Sequence, residues 1–296
     1  MNTNYEFSIS IVIPTLNRPK KLEQLIDSLV NVNWKETELL IVDDSLDSHE
    51  IQLRENRDCT IHYIHRGQKL GVSSARNLGA QCAKGKYLIF LDDDDKVTAN
   101  WFEDFYATVA QDYDLVFCNM KRIDLKNLNG VLVKPSDHRF GANGNNIVIP
   151  GAFMLKRALF ESLDGYDEKI LYAENTELFY RIELLNNKRY FIDKANLIYC
   201  PSEDGGSKNL KNMIDSNKII LEKHMDWLPE NHKHVFNQII GVNYMRFGES
   251  KKASMYFFKA IQAKPFRFGT YCRLLISLSP YLSRIFYKKD LEKISF

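Results

Sequence analysis

Residues Asp92 to Asp95 are four consecutive aspartates, set directly after the apolar run YLIFL at 87–91. Two carboxylates about 6 Å apart repel by roughly 3 kcal/mol at an effective dielectric near 20, so such a run needs a compensating partner. Side chains alternate along an extended chain, which would set Asp92 and Asp94 on one face, ~6–7 Å apart, if the strand geometry persists. Spaced carboxylates of this kind suit a hard divalent cation. Mg²⁺ takes one or two of them and fills its remaining positions with water and substrate phosphate oxygens. A solvated acidic turn is the simpler alternative. A second acidic pair, Asp43 and Asp44, follows the run ELLIV at 38–42. These acids fit either ligand N–H and O–H groups or the turn chemistry of a loop.

The elements that must position these acids follow from periodicity. Residues 8–14 (SISIVIP), 38–42, 61–64 and 87–91 read as strands. Between them, residues 20–30 place Leu22, Leu25, Ile26 and Leu29 at helical spacing, and residues 73–84 read as a helix capped by Ser73 and Gly85. Strands alternating with helices indicate an α/β fold with a mainly parallel sheet. In such sheets ligands bind beyond the carboxyl ends of the strands, so both acidic groups should share one crevice. A helix at 101–111, a strand at 115–120, a loop at 127–146, a strand at 147–155 and a helix at 156–163 follow. After residues 204–207 (DGGS) the pattern is helical throughout, at 208–225, 230–247, 250–263 and 271–287. This predicts a first domain over 1–206 and a helical region over 207–296.

The 296 residues carry 40 Lys and Arg against 38 Asp and Glu, a net charge of +2 that gives no case for nucleic acid. The five cysteines are odd in number and widely spaced, which favours reduced thiols in the cytoplasm over a disulfide framework. The first residues lack the pattern of a signal peptide, and no stretch reaches the ~18 apolar residues of a membrane span.

Residues 65–95 (HRGQKLGVSSARNLGAQCAKGKYLIFLDDDD) closely resemble the glycine–ARN–G–LDxDD block of family 2 glycosyltransferases. VIPTLNR at 12–18 and IVDDSLD at 41–47 look like that family's first two strand-end motifs, and GYDEKILYAENTELFYRI continues the register. Singly these motifs are weak, but four in order are specific; the resemblance spans about residues 8–207. It implies a GT-A fold, an αβα sandwich, and transfer of a sugar from a nucleotide diphosphate, UDP favoured, to an acceptor hydroxyl. By the same resemblance, Asp92, Asp94 and Asp95 match the site that holds Mn²⁺ or Mg²⁺ against the donor diphosphate. Pro14, Thr15, Asn17, Arg18, Asp43, Asp44, Gly71, Arg76, Asp92 and Asp93 fall where the family contacts the nucleotide sugar. For Arg76 a surface arginine lying along its helix is an equal reading, and for Gly71 a plain turn glycine nearly so.

The sequence departs from the family at the base. Where the family has an acidic pair ahead of Leu-x-x-Arg, with its aspartate as catalytic base, this chain has Glu174 and Asn175. An amide cannot take the acceptor's proton. The favoured expectation is that Glu174 serves as base and Asn175 orients the acceptor. Glu177, Asp167 and Glu168 are other candidates. A weak transferase or an inactive donor- or glycan-binding pseudoenzyme is the alternative. The QxxRW motif of processive relatives is absent, so one sugar would be added per encounter. A sugar nucleotidyltransferase would need a glycine-rich loop after the first strand, and PTLNRPKK has none.

Towards the C-terminus, residues 241–265 resemble one tetratricopeptide-type helical hairpin. Residues 266–289 mix aromatics, leucines and basic residues without an acid. They suit either packing on a core or peripheral contact with the inner face of a cell membrane, where a lipid-linked saccharide acceptor would lie. His224, His232 and His234 lack ligand spacing and are expected to face solvent.

Overall fold

A computed structural model describes residues 5–29, 32–48, 59–123, 130–134, 149–200 and 209–287. The chain divides into two compact units. One comprises Met1–Phe140, Ile147–Glu168 and Leu178–Ser202; the other comprises Gly141–Asn146, Lys169–Glu177 and Glu203–Phe296.

The first unit is built on a nine-stranded sheet. β1 (Phe7–Thr15) pairs in parallel with β2 (Thr37–Asp43) and β4 (Gly85–Phe90), and β2 pairs in parallel with β3 (Cys59–His65). β1 is covered on both faces, and its buried Ser10 is satisfied by donating to Glu38 at 2.6 Å. Ile9, Ile11 and Ile13 pack with Leu22, Leu25, Ile26 and Leu29 of α1 (Pro19–Leu29). On the opposite face, Val12 packs with Leu40, Phe90 and Ala80 of α2 (Val72–Cys82). The register aligns Thr15 with Asp43 and Val12 with Phe90, so the carboxyl ends of β1, β2 and β4 share one edge.

Beyond β4 the sheet becomes mixed. β8 (Phe153–Lys156) runs antiparallel to β4 and to β6 (Leu115–Ile123), and β9 (Arg189–Tyr199) runs parallel to β6. β5 (Lys96–Val97) and β7 (Gly130–Val133) add antiparallel edges to β9 and β6. Parallel pairing is thus the rule for the first four long strands, and the later strands fold back on them. The remaining helices here are α3 (Trp101–Tyr106), α4 (Arg157–Ser162) and α5 (Glu174–Glu183), whose first four residues group with the second unit.

Several expected boundaries shift for physical reasons. Neither Ser73 nor Gly85 caps α2; the cap is Gly71, and Gly85 opens β4. A Cβ at Gly85 would lie 2.5 Å from Ser10 Oγ, so close approach of two strands demands glycine there. The helix expected at 101–111 stops at Tyr106, and a separate 3₁₀ turn at Val109–Gln111 ends at Asp112 in the left-handed region. Of the strand expected at 147–155, β8 forms only the end; residues 147 and 148, most of the 127–146 loop and the boundary at Gly206 lie outside the described residues.

The second unit contains α6 (Leu210–His224), α7 (Glu230–Arg246), α8 (Ser250–Ala263), α9 (Phe268–Leu278) and α10 (Pro280–Phe286). α7 and α8 form the expected hairpin. Gly241 lies against Phe257, where a Cβ would approach the ring to 2.7 Å, and Gly248 takes φ +76° in the turn. The single helix expected at 271–287 is two. Ser279 caps α10 by accepting from the Leu282 N–H, with Pro280 in the first turn. The histidines expected on the surface are buried instead: His234 Nδ1 bonds to the Ala260 carbonyl, and His224 to Glu177. Among the described residues no helix is long and apolar enough to cross a membrane.

Candidate active site

The strand leading into the aspartates stops at Phe90, and residues 92–95 close into a turn, with the Asp95 N–H donating to the Asp92 carbonyl at 3.3 Å. The alternation anticipated for an extended chain nevertheless persists in exposure. The side chains of Asp92 and Asp94 are 32% and 16% exposed, whereas Asp93 and Asp95 are buried at 5% and 3%.

Cations from three positions offset the charge of this turn. Arg76 in α2 donates to Asp92 at 2.6 Å. Arg18, in the loop after β1, donates to Asp93 at 3.2 Å and Asp94 at 3.0 Å, and Lys21 in the first turn of α1 reaches Asp94 at 3.5 Å. Thr15, the last residue of β1, donates its hydroxyl to Asp93 at 2.7 Å. Burial pushes the Asp93 carboxyl up to about 6, against the lowering effects of Thr15 and Arg18. Burial, reinforced by Asp92, holds Asp95 well above the usual carboxylate range, although it accepts from the Cys200 N–H at 3.0 Å. Burial opposes the Arg18 charge, but Asp93 and Asp94 outweigh it and raise that pKa.

Arg76 is 2% exposed, so it is not the surface arginine that its helix position allowed. Its guanidinium lies over the Tyr166 ring at 5.4 Å. Asn77, beside it, ties α2 to the same segment: its amide donates to the Tyr166 carbonyl at 2.9 Å and to Glu168 at 3.0 Å, and its oxygen accepts from the Tyr166 N–H.

Asp43 and Asp44 lie at the same sheet edge, both buried. Asp43 accepts from the Tyr63 hydroxyl at 2.5 Å and from the Ser45 N–H at 2.8 Å. Asp44 is paired with Arg66 through both carboxylate oxygens and accepts from the N–H groups of Leu70 and Gly71 at 3.3 and 3.2 Å. A carboxylate at the start of α2 is favoured by the helix dipole. Gly71 takes φ +96°, a conformation that L side chains rarely adopt. Pro14 is buried within β1, and exposed Asn17 takes φ +54° while its N–H donates to Ser45 Oγ at 2.7 Å. The first unit therefore gathers the nucleotide-side candidates at one edge. Sequence reasoning assigned no role to Arg66, Lys21, Tyr63, Asn77 or Tyr166, although Asn77 stood inside the quoted ARN triplet.

Hard carboxylate oxygens are the donors a Mg²⁺ or Mn²⁺ ion requires, and Asp92 and Asp94 present two partly exposed ones. The buried Asp95 Oδ2 has no hydrogen-bond partner. Among the described residues no group of three His, Cys, Asp or Glu forms a metal-binding cluster. Two carboxylates with phosphate and water completing the shell is the arrangement these residues fit.

In the second unit, Ala173 takes φ +61° just before α5, and Asn175 Nδ2 donates to Glu174 Oε1 at 3.1 Å. Glu177 is fully buried, with Lys223 Nζ at 2.8 Å and His224 Nε2 at 3.0 Å, so it is committed to α6. The Ser216 hydroxyl, also on α6, accepts from the N–H groups of Leu171 and Tyr172. Burial, then Glu174, raises the Tyr172 pKa.

Residues 10–164 match the family model described as Glycosyl transferase family 2. Among curated relatives, the chain is 27% identical over 195 residues to the uncharacterized glycosyltransferase EpsJ of Bacillus subtilis, covering 64% of this chain and 51% of that one. It is 26% identical over 202 residues to the GalNAc(5)-diNAcBac-PP-undecaprenol beta-1,3-glucosyltransferase of Campylobacter jejuni, covering 64% of each. The chain thus spans between half and two thirds of these relatives' lengths. The fold is similar to that of S. aureus TarS 1-349 in complex with UDP-GlcNAc, at TM-score 0.64 and 19% identity over 97% of this chain and 89% of that one. The mixed sheet is accordingly a GT-A fold with a helical C-terminal region. With just over half of its length matched by the family model, this chain belongs to glycosyl transferase family 2.

Proposed function

We propose that the protein is an inverting, metal-dependent glycosyltransferase of the cytoplasm. It moves one sugar from a nucleotide-diphosphate donor, a UDP-sugar first among the candidates, to a hydroxyl of a glycan or lipid-linked saccharide in bacterial surface polysaccharide assembly. The observation that carries this reading is the aspartate turn. It presents two accessible carboxylates, Asp92 and Asp94, amid Arg18, Lys21 and Arg76 at the carboxyl edge of a parallel sheet. Relatives named for a UDP-GlcNAc complex and for an undecaprenol-linked acceptor support the donor and acceptor classes. Free cysteines at all five positions suit the compartment.

In this reading Asp92 and Asp94 hold Mg²⁺ or Mn²⁺, which supplies Lewis-acid stabilisation of the departing diphosphate. Arg18, Lys21 and Arg76 bind and orient the diphosphate, and Asp43, Asp44 and Gly71 shape the nucleoside end. Glu174 takes the proton of the acceptor hydroxyl as that oxygen attacks the anomeric carbon, in one displacement with inversion. The Asn175 amide, bonded to Glu174 Oε1, orients that carboxylate. Asn175 in the family's base position also favours a second reading, a donor-binding pseudoenzyme.

Turnover of a panel of UDP-, GDP- and dTDP-sugars with Mn²⁺ separates the two. One donor should be consumed, and Asp94→Ala should abolish both turnover and UDP binding. Unchanged binding and activity in that variant would overturn the metal assignment. Tight, metal-dependent UDP binding without turnover of any donor would establish the pseudoenzyme.

A further inference from the structure

α9 and α10 expose much of their apolar surface, although Leu274 and Ile276 of α9 pack inward against Met245, Ala253 and Phe257. A helix on a water-soluble protein turns its apolar stripe to the core and its polar residues to solvent. The residues that α9 buries fully are Thr270 and Ser277, while Phe268, Tyr271, Leu275 and Leu278 are exposed. α10 buries Ser283 and exposes Tyr281, Ile285 and Phe286. The inward hydroxyls are satisfied within the unit: Thr270 accepts from Gln238, Ser277 donates to the Leu274 carbonyl, and Ser283 bonds to Ser250. Small hydroxyl residues at helix contacts, with large apolar ones outside, is the arrangement that helices adopt against lipid. Phe266, in the turn before α9, is 87% exposed.

Charge identifies what covers this face. From Ser250 to Tyr287 the chain carries Lys251, Lys252, Lys259, Lys264, Arg267, Arg273 and Arg284 and no aspartate or glutamate, while the flanking Glu249 pairs with Lys252 at 3.4 Å and leaves the balance strongly basic. A second copy of the chain docking through the same patch would bring like charges together. An anionic bilayer surface complements both features, since acyl chains take the apolar side chains and headgroups take the cations. We propose that α9 and α10, with the preceding turn, form a peripheral docking surface for membranes rich in anionic phospholipid. The site needs no catalysis, so failure of the donor panel leaves it standing, and its own failure leaves the transferase reading intact.

Sedimentation of the full chain with vesicles of phosphatidylcholine, alone or with about one third phosphatidylglycerol, tests the surface. Binding to the anionic vesicles should exceed binding to the neutral ones by roughly tenfold or more and weaken with salt. Leu275→Ser with Leu278→Ser, and separately Arg267→Glu with Arg273→Glu, should each reduce it by about tenfold. Phe266→Ser with Phe268→Ser, at positions that make little packing contact, reads the same surface should either pair melt at lower temperature. Equal binding by wild type and all variants would overturn the proposal. So would absence of vesicle binding, whether the chain stays monomeric or forms a concentration-dependent oligomer that the leucine variants disperse.

Discussion

Arg76 is buried, yet it pairs with an aspartate that remains partly exposed, so it holds the rim of the acidic turn from beneath. Arg76→Ala leaves Asp92 without this partner and removes the contact with Tyr166. A loss of about 2–4 kcal/mol in denaturant unfolding is expected, since a charge deprived of its partner costs more than the pair contributes. Arg76→Lys keeps the charge but loses the planar group over the ring, and should fall between. Glu174→Gln should lower turnover by roughly 10²–10⁴ while donor affinity, measured by calorimetry, changes little. A fully active Glu174→Gln enzyme would remove that residue from the role of base. If the missing carboxylate limits catalysis, Asn175→Asp will raise the rate. The aspartates were legible in the sequence because four adjacent carboxylates are unusual whatever the fold. Their counter-charges were less so, because the burial of Arg76 and the reach of Lys21 depend on how α1 and α2 pack on the sheet.

Among elements, the α7–α8 hairpin offers a clean test of close packing. Gly241→Ala drives a Cβ into the Phe257 ring, and should cost about 1–3 kcal/mol in thermal unfolding, the range for overpacking a core. Gly269→Ala meets nothing within 4 Å in α9, and should be neutral or stabilising by about 0.5–1 kcal/mol because it removes backbone freedom from the unfolded chain. β3, at the sheet edge, showed only a short run at 61–64, whereas β1, β2 and β4 were visible as apolar runs because parallel strands covered on both faces bury nearly every side chain. β9 was not: RYFIDKANLIY carries three charges, as a strand with solvent on part of its length can. The cap of α2 was misplaced for a related reason. Asp44, 27 positions before Gly71, accepts from the N–H groups of Leu70 and Gly71 where the chain enters the helix, and no side chain caps it, so local sequence did not locate the cap.

For the whole molecule, a net charge of +2 conceals a strong division. Residues 250–287 contribute +7 from seven cations and no acids, so the remainder of the chain, at +2 less +7, carries −5. A cation exchanger near neutral pH should therefore retain the protein more strongly than its net charge implies, and Arg267→Glu with Arg273→Glu should elute at clearly lower salt. Equal elution would mean that the basic segment is not presented to solvent as a patch. The acidic turn is also not bare charge awaiting an ion. Arg18, Lys21 and Arg76 already pair with one oxygen each of Asp92 and Asp94, so on the proposed reading a dication would compete with these cations, and a diphosphate would be the group able to receive them. Each ligand would then prepare the other's seat, and by thermodynamic reciprocity the factor by which nucleotide tightens metal would equal that by which metal tightens nucleotide. On the proposed reading the aspartate turn would act as a coincidence detector, holding neither half of the donor complex firmly until both arrive.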